Sequence, residues 1–178
     1  KTYAYLIPFI LASKENDLPL IISTYTKSLQ DQLFYKDLKN VLALVDIDIN
    51  ALLLKGRDNY ICINRLDQIE LSSNDLIRNF ECHDLAAIIA WSFYTKSGDI
   101  DECSSFSISR NSRLWNLLKS DVRFCQKQCG YSDTCFYSKN IDCVNHSNII
   151  VVNHALLMSD SLENRNLLPK EHLFVIDE

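Results

Sequence analysis

Apolar and polar positions recur with two different periods along this chain, and the texture changes twice. From Thr2 to Ser13, Tyr3, Leu6, Ile7 and Ile10 recur at three- and four-residue spacing, which predicts a helix with one apolar face. Pro8 falls inside it and is expected to kink it or to remove one backbone hydrogen bond. Leu18 to Ser23 is a short apolar run rich in isoleucine, the mark of a strand buried on both faces. Leu29, Leu33, Leu38 and Leu42 then predict a helix from Thr26 to the neighbourhood of Val45. Ala51 to Leu54 predicts a second buried strand, ended by Lys55-Gly56-Arg57. Strand, helix and strand in that order point to a parallel α/β sheet.

From Asp58 to Asn140 the strand signal fades. Helices are predicted over Asn59–Gln68, Cys82–Lys96 and Ser112–Ser120. The α/β texture returns at Asn148 to Val152 and at Leu173 to Ile176. No Gly/Ser linker marks either junction. The expected organisation is therefore a parallel sheet built from 1–55 and 144–178, interrupted by a packed, mostly helical insertion over 56–143.

Composition narrows the classes. A chain of 178 residues suits one domain, or one domain carrying an insertion. With 47% hydrophobic and 23% charged residues, wholesale disorder is excluded. No apolar run approaches the roughly 20 residues that span a bilayer, so no membrane partner is expected. The net charge of −5 excludes a uniformly basic nucleic-acid binder but leaves room for local patches. Segment 67–84 is acidic and segment 119–139 mildly basic. The chain opens on Lys1 directly into a helical pattern and closes on an apolar strand running into Asp177-Glu178, so it is expected to be a piece of a longer protein.

Seven cysteines are the other anomaly: Cys62, Cys82, Cys103, Cys125, Cys129, Cys135 and Cys143. No signal-peptide pattern precedes them, so a secreted disulfide scaffold is not indicated and an intracellular metal or cluster site is the expectation. Cys125, Cys129 and Cys135 fall within one short segment, with Gly130 permitting a turn beside the second. Three sulfurs so spaced can converge on one centre, and the fourth ligand must come from Cys62, Cys82, Cys103, Cys143, His146 or His83. No CxxC pair occurs, and the unequal spacing suits an iron–sulfur cluster at least as well as zinc. Taken singly, Cys82, Cys103 and Cys143 read as small buried hydrophobes.

Two further signals sit at the chain ends. Asp177-Glu178 follows an apolar strand, where α/β proteins bind ligands; in an ATPase such an Asp holds Mg²⁺ and the Glu orients the attacking water. Lys1-Thr2 opens a helix and matches the tail of a phosphate loop, the Lys reaching the β/γ-phosphates of ATP and the Thr hydroxyl binding Mg²⁺.

Several motifs together resemble the DinG branch of the DinG/XPD family of iron–sulfur superfamily 2 DNA helicases. They are Lys1-Thr2 with Tyr5-Leu6-Ile7-Pro8, Ser23-Thr24-Tyr25-Thr26 with Leu29 to Leu33, and Lys55-Gly56-Arg57-Asp58-Asn59-Tyr60-Ile61-Cys62. The remainder are Trp91, Thr95, Gly98-Asp99 and Glu102, the cysteine triplet followed by Phe136-Tyr137, Val151 to Leu157, and Val175 to Glu178. The resemblance runs the length of the chain in family order. It implies a RecA-like P-loop motor domain with an iron–sulfur insertion. It implies that Lys1 and Thr2 complete the phosphate loop, that Asp177 and Glu178 are the catalytic carboxylates, and that Cys62, Cys125, Cys129 and Cys135 ligate a [4Fe–4S] cluster. Three residues separate Cys125 from Cys129, where about four are expected in many relatives.

The implied activity is ATP-dependent, 5′-to-3′ DNA unwinding by a monomeric intracellular (cytoplasmic, if bacterial) motor, in the service of DNA repair. Its partners would be single-stranded DNA and duplex or forked DNA, with the cluster domain at the strand junction. This piece alone, lacking the phosphate-loop glycines and a second motor domain, is expected not to turn over ATP. Ser23, Thr24 and Thr26 open a helix after a strand, which suits a DNA phosphate or a simple helix cap. Gln30 and Gln32 read as helix surface, and Asn153 and His154 as junction residues. Arg123 and Lys127 are candidates for DNA phosphates, Arg57 for a phosphate, the cluster or plain surface, and Phe136 and Tyr137 for core packing or for stacking on bases. The rival reading is a zinc- or cluster-binding redox or interaction module with no motor activity.

Overall fold

The computed structural model describes residues 2–71, 77–125, 129–163 and 166–177. The chain forms two compact units, one from 1–55 with 141–178 and the other from 56–140.

The first unit is built on four parallel strands: β1 (Leu20–Thr24), β2 (Ala51–Leu53), β3 (Ile149–Asn153) and β4 (Leu173–Ile176), in the order β2-β3-β1-β4. Both central strands are buried on both faces, which is why they read as continuous apolar runs. The two-residue period still sorts their side chains. Leu20, Ile22, Ile149 and Val151 join one core cluster with Leu6, Ile10, Leu33, Leu38 and Val41. Ile21, Ile150 and Val152 join the opposite one with Leu54, Val144, Leu156 and Leu157. Each such aliphatic side chain contributes about 1.5–3 kcal/mol on full burial, so the central strands anchor this unit.

Helix α1 (Thr2–Asn16) is continuous through Pro8, which lies on its exposed side and has no N–H to give the helix. Helix α2 (Lys27–Gln32) passes without a break into a π-helical segment (Leu33–Leu38) and then into α3 (Lys39–Val45). The apolar spacing accounts for the π register. Leu33 and Leu38 are five residues apart and both buried, and an i→i+5 turn places them on one face where an α-turn would not.

The second unit contains α4 (Ile63–Leu71), α5 (Cys82–Ser92), α6 (Ser112–Leu118) and the start of α7 (Phe136–Val144). Its core gathers Ile61, Leu66, Ile69, Ile88, Ile100, Cys103, Phe106, Leu114, Trp115 and Leu118. Helix α4 begins later than the sequence predicts, because Arg57–Asn59 form a 3₁₀ turn and Tyr60 and Ile61 are spent on β-bridges to Asp99 and Lys119. Two buried carboxylates fix the start of α5. Glu81 accepts from the Arg78 backbone N–H and from Arg113; Asp84 accepts from Asn111 and Arg110. Helices α7 and α8 (His154–Glu163) escaped the sequence reading, since one is short with mixed polar and apolar positions and the other continues an apolar strand.

Candidate functional site

The carboxyl edge of the sheet is set by strand register. Ser23 pairs with Ile176 and Thr24 with Asn153, so the residues following β1, β3 and β4 lie along one edge. The Asp177 N–H extends this ladder by donating to the Ser23 carbonyl at 2.8 Å. Half-buried Tyr5, on α1, donates its hydroxyl to Asp177 Oδ2 at 2.7 Å. Burial, reinforced by the Asp177 carboxylate and only partly opposed by Thr2, pushes the Tyr5 phenol well above its ordinary pKa, so it stays a donor. The start of α1, which carries Thr2, and Asp177 after β4 are thus brought together from opposite ends of the chain. A hydroxyl and a carboxylate are hard oxygen donors of the kind Mg²⁺ takes, so these residues fit that ion. Lys1 and Glu178 lie outside the described residues. Tyr5 was missed as a site residue, although its position three residues after Thr2 puts both on one helix face.

The edge also holds a contact across 131 residues of sequence: Ser23 Oγ and His154 Nδ1 are hydrogen-bonded at 2.6 Å, with the Tyr25 ring 6.1 Å from the imidazole. Thr26 caps α2, its hydroxyl accepting from the Leu29 N–H, and Thr24 donates to the Thr26 carbonyl. Asn153 caps α8 by accepting from the Leu156 N–H. Gln30 is not helix surface as expected. It is fully buried, and its amide donates to the carbonyls of Leu54 and Val151, tying α2 to the sheet. Gln32 is exposed, as expected.

In the second unit the thiols of Cys62, Cys125, Cys129 and Cys135 share a neighbourhood. Burial raises the Cys62 thiol pKa, and the charges of Cys125 and Cys135 raise it further, against a backbone hydrogen bond at Arg65. Arg57 donates to Cys125 Sγ at 3.0 Å, and the Asn64 amide lies 3.9 Å from Cys129 Sγ. Among the described residues, no group of three or more His, Cys, Asp or Glu side chains is arranged to hold a metal ion. The expected convergence of four sulfurs on one centre is therefore not seen: individual thiols are engaged by separate donors. The donor set still fits a thiolate-bound cluster, with a guanidinium at hydrogen-bond distance from one sulfur. Cys103 is buried in the apolar core of this unit, and Cys82 and Cys143 are exposed.

The DNA candidates divide. Arg57 is stacked 3.9 Å over the Tyr137 ring, and Tyr137 in turn packs on Tyr60. Tyr137 is buried, so it offers no free face to a base. Phe136 packs into the core of the second unit and against Gly98, in line with the core-packing alternative. Arg123 is exposed but grips Asp121 through Nε and Nη2, which holds that carboxyl far below its usual range. Lys127 lies outside the described residues. The missed residue is Phe124: exposed, next to Cys125, with Arg65 4.4 Å and Arg123 5.8 Å from its ring centre. The adjacent Arg-Phe-Cys in the sequence was its only signal.

Curated proteins related to this chain match it from end to end. The ATP-dependent DNA helicase YoaA of Escherichia coli K12 is 36% identical over 183 residues, which cover all of this chain and 28% of that protein. The ATP-dependent helicase DinG of Mycobacterium tuberculosis is 32% identical over 199 residues, covering 29% of it. The protein named 3′-5′ exonuclease DinG of Bacillus subtilis is 31% identical over 179 residues, covering 19% of it. The chain thus spans less than a third of the length of these relatives. No family model matches the chain.

Proposed function

This chain is homologous over its whole length to a segment of the DinG and YoaA helicases, and on that premise we propose that it is part of an ATP-driven DNA-unwinding motor. Segments 1–55 and 144–178 are portions of the first motor domain, and 56–143 is an iron–sulfur domain. The observation that carries this reading is the Tyr5–Asp177 hydrogen bond, which brings the start of α1 to Asp177 at the carboxyl edge of a parallel sheet, from opposite ends of the sequence. In such a motor the N-terminus of α1 receives the phosphates of ATP on its free N–H groups, with Lys1 on the β/γ-phosphates. Thr2 and Asp177 would hold Mg²⁺, which supplies charge neutralisation at the transferring phosphoryl group. Glu178 orients the attacking water. Cys62, Cys125, Cys129 and Cys135 would hold a [4Fe–4S] cluster, whose bonds would tie the start of the insertion to its end.

The DNA partner is single-stranded, at a fork or duplex end, with translocation 5′-to-3′ by a monomeric motor inside the cell. Support comes from exposed Phe124 beside Arg65 and Arg123, an aromatic face with cations next to it, the combination that holds unpaired bases without sequence preference. In the full-length protein, DNA-stimulated ATP hydrolysis and unwinding of a 5′-tailed duplex are expected, and Asp177→Asn should abolish both. Unwinding retained by Asp177→Asn, or seen only with 3′ tails, refutes the corresponding part of the proposal. Iron and acid-labile sulfide analysis of anaerobically purified protein, beside zinc, tests the cluster.

A further inference from the structure

We propose that Tyr5 is a positioning residue for the divalent cation: it orients the Asp177 carboxylate for the metal without touching the metal itself. The inference rests on the motor reading above and deepens it.

Geometry carries the argument. The Tyr5 hydroxyl donates to Oδ2 of Asp177 at 2.7 Å, and that bond occupies one carboxylate oxygen and leaves Oδ1 for a ligand. Thr2 lies three residues before Tyr5 on the same face of α1, so the carboxylate is held on the side of the helix that carries the second oxygen donor. Asp177 also has its backbone fixed, through the N–H bond to Ser23. With the backbone held by the sheet and the side chain held by Tyr5, the carboxylate has little rotational freedom left to lose when a cation arrives. Tyr5 itself is half-buried and packs against the core formed by α1 and the sheet, so its hydroxyl is presented from a rigid base. Groups that orient metal ligands from behind in this way characteristically change metal affinity about 10–100-fold when removed.

The opposite role is also conceivable for the same contact. A phenol bonded to the carboxylate could compete with the cation and act as a brake. The two roles predict opposite signs, so one variant separates them.

The test uses the full-length protein carrying Tyr5→Phe, which keeps the ring and its packing and removes only the hydroxyl. Mn²⁺ binding in the presence of a non-hydrolysable ATP analogue is followed by electron paramagnetic resonance, alongside the Mg²⁺ dependence of ATP hydrolysis. The Mn²⁺ dissociation constant is expected to rise about tenfold or more. The Mg²⁺ concentration for half-maximal turnover should rise with it, while kcat at saturating Mg²⁺ recovers most of the wild-type value. Unchanged or tighter Mn²⁺ binding overturns the proposal, the latter in favour of the brake. A fall in kcat that excess Mg²⁺ does not restore overturns it as well. A thermal melt of the variant checks that folding is intact; Tyr5→Gln, which restores a donor near the carboxylate, should recover part of the affinity in a folded protein. Asp177→Asn serves as the separate control. If it leaves Mn²⁺ binding untouched, the motor reading fails at its metal site, whatever Tyr5→Phe does.

Discussion

At Cys62, burial above all, and with it the nearby charges of Cys125 and Cys135, opposes ionisation, and together they outweigh the backbone hydrogen bond at Arg65. A thiol so placed is a poor free nucleophile, and it gains from a cation that takes up its negative charge. Cys103 is also raised by burial, but it sits among Ile61, Leu66, Ile88 and Trp115 with no such neighbours. The two positions should therefore respond differently. In the full-length protein Cys62→Ser is expected to lower bound iron and sulfide from about four per chain to near zero. Cys103→Ser is expected to keep the iron and cost about 1–3 kcal/mol of stability, from a hydroxyl buried in an apolar core. Iron loss in Cys103→Ser with retention in Cys62→Ser would reverse the ligand assignment.

Among the elements, the turn before Asp99 leaves no room for a side chain at Gly98. Gly98 has φ of 72°, and a Cβ added there would meet the Phe136 ring at 2.3 Å. Both the backbone and the space demand glycine, and the Gly98 carbonyl also accepts from the Ile61 N–H. Gly98→Ala should destabilise the second unit by about 2 kcal/mol or more, from left-handed strain plus overpacking. A thermal melt checks this.

The start of α5 is the acid-sensitive element. Burial pushes the Glu81 carboxyl up, but the Arg78 N–H and Arg113 outweigh it and hold the pKa below the ordinary value; Asp84 is held down likewise against burial by Asn111 and Arg110. Depressed folded-state pKa values mean that the unfolded chain binds protons first. The stabilisation from both groups is therefore complete above the usual carboxylate range and is lost as pH falls through their lowered values. Helical signal from the second unit should drop below about pH 4, and Glu81→Gln should flatten that dependence. An unchanged acid limb in Glu81→Gln would assign the transition to other carboxylates.

For the whole molecule, a net charge of −5 repels a polyanion unless cations are gathered locally. Arg65 and Arg123 are so gathered at Phe124, but Arg123 shares its charge with Asp121 and Lys119 pairs with Asp58. The patch is therefore weaker than its count of basic residues suggests. Single-strand affinity of the full-length protein should fall with log salt by about 0.7 per phosphate contact. Arg123→Glu with Lys127→Glu should flatten that slope without changing iron content. Phe124→Ala should weaken binding about equally across sequences, by about 1–3 kcal/mol if a base stacks there. Identical affinity in Phe124→Ala would remove the stacking platform.

Much of the fold was legible because it is encoded locally. Strands such as Ile149–Asn153 announce themselves when both faces are buried, since every position must then be apolar. The parallel sheet followed from strands alternating with helices, and the thiols stood out by residue type. Contacts between distant residues have no such local signature. That Gln30 is buried, that Ser23 meets His154 and that Tyr5 reaches Asp177 are decided by strand order and register and by the helices packed on the sheet, and that Phe136 closes on Gly98 by packing within the second unit. Periodicity tells which face of an element is apolar. Only the packing of one element on another decides which polar group that face meets.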